Sequence, residues 1–225
     1  MFEWGQAQGV TLCLHGVGPP TCVFTASESN YWLPERMFES VLDRVLEDPT
    51  VTLTFDDGFS SDVDVVLPAL VDRGLTASFF PPTHRLGMSG CLSEDGVREL
   101  RSAGMTIGSH GRDHVPWERM TPGRAYLEFV VARQELESIL SEPVTSAACP
   151  FGAYDPRTLK RLKEQGYTRV FTSDAAKARQ GRWLSPRFTL TADMSSECVQ
   201  QMMEGRTRIV PGVADELRLL AKRLW

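Results

Sequence analysis

The chain has 225 residues, of which 42% are hydrophobic, and a formal net charge of −5 at pH 7. This composition is that of an ordinary globular protein with one or two domains. Lysine and arginine are scattered rather than clustered, which argues against a nucleic-acid-binding surface. No apolar run approaches the roughly 20 residues that a membrane-spanning helix needs. The first residues lack the basic and apolar regions of a secretory signal, so we expect a cytoplasmic protein that binds neither nucleic acid nor membrane.

Short apolar segments alternate with amphipathic ones along the chain. Their periodicity predicts strands at residues 10–14, 51–53, 75–80, 105–108, 144–149, 168–172 and 188–191. Helices are predicted to begin near Pro34, Asp62, Ser93, Thr121 and Asp155. Two further helical patterns close the chain, and the last of them uses Val213, Leu217, Leu220 and Leu224.

This alternation is typical of parallel β/α units. About seven such units in a single domain, residues 1–225, predict an α/β barrel slightly short of the usual ~250-residue, eight-fold form. The alternative is an open, doubly wound sheet. In both folds the functional site lies at the carboxyl ends of the strands. In this chain, the polar residues that could form such a site lie directly after predicted strands.

Residues 54–58 (Thr-Phe-Asp-Asp-Gly) follow the second predicted strand and place Asp56 and Asp57 side by side. Adjacent like charges are costly unless a cation compensates one of them. Neighbouring side chains of a strand point to opposite faces, but Gly58 tolerates the backbone angles of a sharp turn. Both carboxylates could then face one cleft, one on a metal and one free to take a proton. The alternative is an Asp-Asp-Gly surface turn.

Residues 109–114 (Ser-His-Gly-Arg-Asp-His) carry two of the four histidines, His110 and His114. On a helical turn this spacing places both imidazoles on one side. Two histidines and a carboxylate from another strand end form a site that zinc occupies with an open position for water. Ferrous iron, manganese, nickel or cobalt also suit such ligands. The alternative is a pair of surface histidines.

These segments resemble three motifs of the polysaccharide deacetylases, carbohydrate esterase family 4. Residues 54–58 resemble the first motif, and residues 109–114 resemble the His-x-x-x-His motif. Residues 150–152 (Pro-Phe-Gly) resemble the end of the third motif. Order and spacing match as well, so the resemblance covers most of the chain. It implies a distorted (β/α) barrel with about seven parallel strands.

The resemblance also implies roles for individual residues. Asp56 is expected to be the catalytic base, and Asp57, His110 and His114 the metal ligands. The backbone N–H of Phe151 is expected to help the metal stabilise an oxyanion. The metal is expected to be Zn²⁺, with Co²⁺, Ni²⁺, Mn²⁺ and Fe²⁺ as alternatives.

Two positions depart from the family pattern. Ala148 stands where many members have an arginine that pairs with the catalytic aspartate, and no histidine follows His114 to protonate the leaving group. We expect Arg187 to pair with Asp56 instead, since a guanidinium suits a carboxylate bidentately; the alternative is a surface or structural arginine. We expect His15, after the first strand, to be the substitute acid; the alternative is a packed or substrate-binding histidine.

Together these features predict a metal-dependent hydrolase that removes an N-acyl group, most often acetyl, from an amino sugar or glycoconjugate. One alternative is hydrolysis of a cyclic amide, an imide or another small-molecule amide. Another is a non-catalytic homologue, because the late histidine is missing. The sequence leaves the oligomeric state open.

The remaining features are five cysteines and a set of aromatic side chains. The cysteines form no Cys-x-x-Cys pair, so we expect reduced thiols that mostly pack in the interior. Some aromatic side chains are candidates for stacking on a sugar ring. These are Trp4, Tyr31, Trp32, Trp117 and Trp183.

Overall fold

The computed structural model describes residues 8–179 and 181–204. Its strands are β1 Gln8–Leu14, β2 Val51–Asp56, β3 Ala77–Phe80, β4 Thr106–Ile107, β5 Ser146–Ala148, β6 Arg169–Thr172, β7 Ala178–Arg179, β8 Leu184–Pro186 and β9 Phe188–Thr189. Strands β1 to β4 pair in parallel in chain order, and β5, β6 and β8 form a second parallel sheet.

The two sheets join into a ring at two places. On one side, Ser109 and Ala147 form a parallel bridge between the segment after β4 and strand β5. On the other side, β8 pairs with β6, and β9, which begins two residues after β8 ends, pairs in parallel with β1. Counting β8 and β9 as one strand gives seven parallel positions. The distorted barrel with about seven parallel strands is therefore confirmed, and the open doubly wound sheet is wrong.

Helices cover the outside of this ring. They are α1 Glu35–Glu47, α2 Leu67–Asp72, α3 Glu94–Ser102, α4 Pro122–Tyr126, α5 Ala132–Leu140, α6 Pro156–Glu164 and α7 Ser196–Met203. Four of them begin at a side-chain cap: the caps are Ser93, Thr121 and Asp155, as their sequences predict, and Ser195. No helix within the described residues has the length and apolar character needed to cross a bilayer.

The apolar positions of the helices pack against the barrel. In α1, the buried side chains recur at helical spacing: Phe38, Val41, Leu42 and Val45. They belong to one large cluster with the apolar residues of β1, β2 and β3. Each fully buried side chain of this kind stabilises the fold by about 1.5–3 kcal/mol. This packing holds the strands whose carboxyl ends form the site.

Several details differ from the expectations. A π-helical turn, Asp62–Val66, precedes α2, because Pro68 has no N–H for a regular helical hydrogen bond. The helix expected at residues 121–140 contains a π-helical turn at Leu127–Val131. Strands β7 and β8 were not expected at all. The last predicted helix lies outside the described residues, and the single-domain organisation stays a prediction.

Candidate active site

A cleft opens at the carboxyl ends of the barrel strands. Its lining residues come from separate strand ends and from the loop after β1: His15, Thr25, Glu28, Tyr31, Asp56, Asp57, His110, His114, Cys149, Phe151, Ser173 and Thr189. The structure thus brings together all the residues named from the three motifs. It also adds Glu28, which the sequence analysis did not name.

The turn after β2 directs both aspartates into this cleft. Asp57 itself has a left-handed backbone with φ of 77°, and Gly58 follows with φ of 63°. A Cβ atom on Gly58 would lie 2.8 Å from Cβ of Pro81, so packing as well as backbone angle requires glycine there. The sequence analysis assigned the turn to Gly58 alone. A left-handed aspartate costs on the order of 1–3 kcal/mol, and such strain is typical of functional sites.

Asp56 is buried and held by a bidentate ion pair with Arg187. Nη1 and Nη2 of Arg187 each donate to one carboxylate oxygen at 2.7 Å. Nη1 also donates to Oγ1 of Thr54 at 3.0 Å, and Nε donates to the carbonyl of Thr172 at 3.2 Å. Arg187 lies between β8 and β9 and is fully buried. The alternative of a surface arginine is therefore wrong.

This pairing sets the charge state of both groups. Burial alone would raise the pKa of Asp56, but Arg187 and then His110 outweigh it and lower the pKa to about 2. Burial disfavours the charged guanidinium, yet Asp56 raises the pKa of Arg187 above its ordinary value. Asp56 is therefore an anion at every ordinary pH.

Asp57, His110 and His114 form a cluster whose ligand atoms all lie within 4.8 Å of one another. Nε2 of His110 lies 3.5 Å from Oδ1 of Asp57, and Nε2 of His114 lies 2.9 Å from the same oxygen. That oxygen is buried, yet it makes no hydrogen bond of normal geometry within the described residues. A buried carboxylate oxygen that faces two imidazoles, with the nearer contact outside normal hydrogen-bond geometry, fits a divalent metal ion.

The tautomer of His110 supports the same assignment. Its Nδ1 lies 2.8 Å from the carbonyl of Ala148 and donates to it, which leaves the lone pair on Nε2 facing Asp57. Burial lowers the pKa of His110 to about 4, so the ring is neutral near pH 7, as a metal ligand must be. Burial would raise the pKa of Asp57, but His114 and then His15 hold it well below its ordinary value.

His114 has a second neighbour, Arg85, that the sequence analysis missed. Nη2 of Arg85 lies 3.0 Å from Nδ1 of His114. Arginine only donates, so Nδ1 accepts, and the neutral ring then carries its proton on Nε2. A metal on Nε2 requires Arg85 to give up this contact. Glu28 at 3.4 Å and Asp57 at 3.8 Å remain as its partners.

The way in which the two histidines converge also differs from the expectation. Residues 110–114 form no helical turn. Instead, Gly111 and His114 have left-handed backbones with φ of 76° and 52°, and the chain folds back on itself. A Cβ atom on Gly111 would lie 2.2 Å from a carboxylate oxygen of Glu128, which accepts the N–H of Arg112 at 3.0 Å. The helical interpretation of this spacing is wrong, although both rings reach the same point.

His15 follows β1 and lies beside Asp56 and Cys13, with one ligand atom of each residue within 4.8 Å of the others. This second group is a poor metal site. Asp56 already accepts two hydrogen bonds from Arg187, and burial raises the pKa of Cys13, so its thiol stays protonated. Nδ1 of His15 is buried and has no hydrogen-bond partner in the described part of the chain. Its ring packs at 4.8 Å against Tyr31.

Phe151 has a left-handed backbone with φ of 58°. The residue is 64% exposed, and the centre of its ring lies 4.5 Å from the centre of the His114 ring, so Phe151 forms part of the rim of the cleft. Of the aromatic candidates, Tyr31 lines the cleft. Trp32 and Trp117 are buried in the interior, and Trp4 lies outside the described residues. Trp183 packs against a separate cluster of buried side chains that includes Trp117 and Tyr167.

Solved structures of similar fold include several that are described as deacetylases. The deacetylase PplD of Streptococcus pyogenes, solved in complex with acetate, has a TM-score of 0.72 and 21% identity, and the match covers 88% of this chain and 99% of that one. IcaB from Ammonifex degensii has a TM-score of 0.71 and 23% identity, with 90% and 99% covered. These likenesses establish the fold.

The sequence comparisons agree with the fold. The putative polysaccharide deacetylase YxkH of Bacillus subtilis is 26% identical over 164 residues, which is 72% of this chain and 59% of that protein. This chain therefore aligns with little more than half the length of that relative. The family model for polysaccharide deacetylases matches residues 43–170, a segment that contains Asp56, Asp57, His110 and His114 but neither His15 nor Arg187. Because this match covers more than half of the chain, the protein belongs to the polysaccharide deacetylase family.

Proposed function

We propose that the protein is a metal-dependent hydrolase that removes an N-acyl group, most often acetyl, from an amino sugar or glycoconjugate. The observation that carries the proposal is the juxtaposition of two sets of residues in one cleft. The ligand atoms of Asp57, His110 and His114 lie within 4.8 Å of one another, directly beside an ionised Asp56. The family membership and the acetate complex of PplD, whose ligand is the product of deacetylation, support the same reaction class.

The metal site uses the donors that zinc prefers in catalytic sites, two imidazoles and one carboxylate. A divalent ion held there would polarise the acyl carbonyl and lower the pKa of a water from ~15.7 to ~7. The chain's own residues prepare the donors: Ala148 fixes the tautomer of His110, and burial keeps that ring neutral. Zn²⁺ is our first assignment, with Co²⁺, Ni²⁺, Mn²⁺ and Fe²⁺ as alternatives.

Asp56 is the proposed base that takes a proton from the attacking water. Arg187 keeps the carboxylate ionised and fixes its orientation through two hydrogen bonds. The same pairing makes Asp56 a weak base with a pKa of about 2. Proton transfer to it therefore depends on a water made acidic by its surroundings, and we expect loss of the metal to cost more activity than loss of Asp56.

Two further roles complete the proposed reaction. The backbone N–H of Phe151 donates to the oxyanion that forms when water attacks the carbonyl. His15 protonates the departing amine, since it lines the same cleft and its Nδ1 has no other partner in the part of the chain that the structure describes. No described residue beyond His15, His110 and His114 brings an imidazole to this cleft.

The decisive experiment measures metal and activity on the same preparation. Metal content of the purified protein is determined, and deacetylation of a chitooligosaccharide is assayed before chelation, after chelation and after zinc or cobalt is added back. About one metal per chain and activity that follows it support the proposal. The variant His84→Ala, treated in the same way, should keep both metal and activity, because His84 is exposed and does not line the cleft.

The other outcomes separate the alternatives. Bound metal without turnover, followed by turnover of a cyclic imide, would move the substrate to small-molecule amides. Bound metal with no turnover of any amide would indicate a non-catalytic homologue. A protein that binds no metal even after add-back would contradict the proposed chemistry.

A further inference from the structure

Two cysteines from different loops lie side by side. Cys22 belongs to the loop between β1 and α1, and Cys91 lies between β3 and α3. Their sulfur atoms are 3.6 Å apart, although 69 positions separate them in the chain. Both are free thiols; Cys91 is 8% exposed and Cys22 is half-buried. A disulfide requires about 2.05 Å between the sulfurs, so they need to approach by only about 1.6 Å.

The backbone on both sides holds this pair in place. Oγ1 of Thr21 donates to the carbonyl of Gly90 at 2.8 Å, and the N–H of Ser60 donates to the same carbonyl at 3.0 Å. Gly90 has φ of 77°, and a Cβ atom there would lie 2.5 Å from the carbonyl oxygen of Thr21 and 3.0 Å from Cβ of Cys22. The close approach of the two loops therefore depends on a glycine next to Cys91, and it sets the separation of the thiols.

We propose that Cys22 and Cys91 are a thiol oxidation site that forms an intrachain disulfide in exchange with a low-molecular-weight disulfide such as glutathione disulfide. The thiolate of Cys22 attacks one sulfur of that disulfide, and one equivalent of the small thiol leaves. The thiolate of Cys91 then attacks the sulfur of Cys22, and the second small thiol leaves. The two protons of the protein thiols end on the two departing small thiols, and two electrons pass to the small disulfide, so the exchange balances.

The order of attack follows from exposure. Cys22 is the more accessible thiol, whereas burial and the neighbouring Cys22 raise the pKa of Cys91 to about 12. A thiol with such a pKa is a poor nucleophile towards an external reagent. Its attack on the bound mixed disulfide is intramolecular, and proximity compensates for the low thiolate fraction.

The other three cysteines lie elsewhere in the fold. Cys13 and Cys149 are buried in the barrel, and Cys198 lies on α7. All five cysteines are free thiols, as expected, and Cys13, Cys91 and Cys149 are buried. The cross-link would tie the loop that carries Thr25, Glu28 and Tyr31 into the cleft to the segment that carries Cys91.

The experiment uses the full chain and does not depend on the proposed hydrolase activity. Reduced, desalted protein is incubated with glutathione disulfide, remaining thiols are alkylated, and peptides are mapped by mass spectrometry. We expect two of the five thiols to disappear and one cross-linked peptide, Cys22 to Cys91, to appear. The Tm should rise by about 5–10 °C and return to its starting value with dithiothreitol.

Single variants test the assigned order of attack. Cys91→Ser should trap one glutathione on Cys22, whereas Cys22→Ser should leave Cys91 unmodified. Cys198→Ser is the matched control and should form the cross-link as the wild type does. The proposal is overturned if all five thiols remain alkylatable after incubation, if the cross-link joins other cysteines, or if the Tm does not change when it forms.

Discussion

The two adjacent aspartates of the first motif have opposite surroundings. Asp56 accepts two hydrogen bonds at 2.7 Å from a buried guanidinium and has a full set of partners. Asp57 turns a buried oxygen towards two imidazoles and forms no normal hydrogen bond with that oxygen. We call Asp56 the closed carboxylate, because both its oxygens accept hydrogen bonds from Arg187. We call Asp57 the open carboxylate, because one of its buried oxygens remains available to a metal ion.

This difference shows that environment, rather than residue type, assigns the roles. Neighbouring side chains of a strand would point to opposite faces, and the left-handed backbone of Asp57 brings both carboxylates into one cleft. The two carboxylates then meet different neighbours. Asp56 contacts Arg187, which belongs to the strand that closes the barrel, and Asp57 contacts the imidazoles that follow β4. We expect the two chemically identical groups to have different functions for this reason. The predictions below test that division.

The largest effect should come from the open carboxylate. Asp57→Asn removes the anionic ligand, so we expect the metal content to fall to background and the rate to fall by roughly 10⁴-fold or more. Elemental analysis and a deacetylation assay on the same sample measure both. Asp113→Asn is the matched control, because Asp113 pairs with Arg112 and Arg124 rather than with the cluster. Full activity with normal metal content in Asp57→Asn would contradict the division.

The closed carboxylate should affect rate without affecting metal content. Asp56→Asn is expected to lower kcat by about 10²–10⁴-fold, the range of a general base, and to leave about one metal per chain. It also leaves Arg187 buried beside a neutral group. We therefore expect the double variant Asp56→Asn/Arg187→Gln to be more stable than Asp56→Asn, but no more active. Loss of the metal in Asp56→Asn would show that the two carboxylates are not separate in function.

Removal of the Arg187 guanidinium should leave Asp56 as a buried carboxylate without a cation and should destabilise the folded protein. Arg187→Gln is expected to lower the free energy of unfolding by about 3–5 kcal/mol at pH 7, measured in urea. In the wild type the pKa of Asp56 is lowered to about 2, so its stabilisation is complete above the unfolded pKa of ~3.9 and is lost as pH falls through about 2.

The pH profile distinguishes this role from a purely structural one. Without Arg187, burial is the dominant influence on the pKa of Asp56 and raises it. The acid limb of the kcat/KM profile should therefore move to higher pH in Arg187→Gln. Arg187→Lys keeps the charge and should move it less. An acid limb that is the same in all three proteins would argue against the pairing as the cause.

A smaller effect on the rate is expected from substitution of His15, the proposed leaving-group acid, which lies beside Asp56. His15→Gln should lower kcat for an N-acetyl sugar by about 10²-fold, the lower end of general acid catalysis. Hydrolysis of 4-nitrophenyl acetate should change little, because its leaving group departs without protonation. His84→Ala serves as control. An equal loss on both substrates would assign His15 to binding or packing.

Much of this division could be predicted from the sequence, because it follows from local patterns. The strand-then-Asp-Asp-Gly pattern and the paired histidines predict which residues meet in the cleft, the family resemblance adds their expected roles, and the alternation of elements predicts the barrel. The helical turn proposed for residues 110–114 failed, because spacing alone does not report the left-handed backbones of Gly111 and His114.

Long-range partners were harder to predict. The pairing of Arg187 with Asp56, 131 positions away, was proposed from a departure from the family pattern and not from any local signal. Arg85 carries no local signal at all: it reaches His114 only because a short helical turn, Thr83–Arg85, lies beside the loop after β4. The same limit applies to Cys22 and Cys91, whose proximity depends on two loops meeting.

A third carboxylate in this region, Asp62, extends the comparison, because it has neither a cation nor open imidazoles. It is 1% exposed, and both its oxygens lack hydrogen-bond partners among the described residues. Burial, followed by the charges of Asp57 and Asp56, raises its pKa well above the ordinary value. A raised pKa in the folded state favours folding below the unfolded pKa of ~3.9, and this contribution is lost as pH rises through the folded pKa.

Asp62→Asn should remove this pH dependence of the free energy of unfolding, and it should change neither the metal content nor kcat. We expect the variant to gain on the order of 1 kcal/mol over the wild type as the pH rises above the unfolded pKa of ~3.9, measured by urea unfolding. Asp64→Asn, an exposed carboxylate in the same turn, should show no such gain. Parallel stability curves for wild type and Asp62→Asn would mean that Asp62 is solvated or paired in solution. Divergent curves would show that burial without a partner gives a carboxylate a third and purely destabilising character.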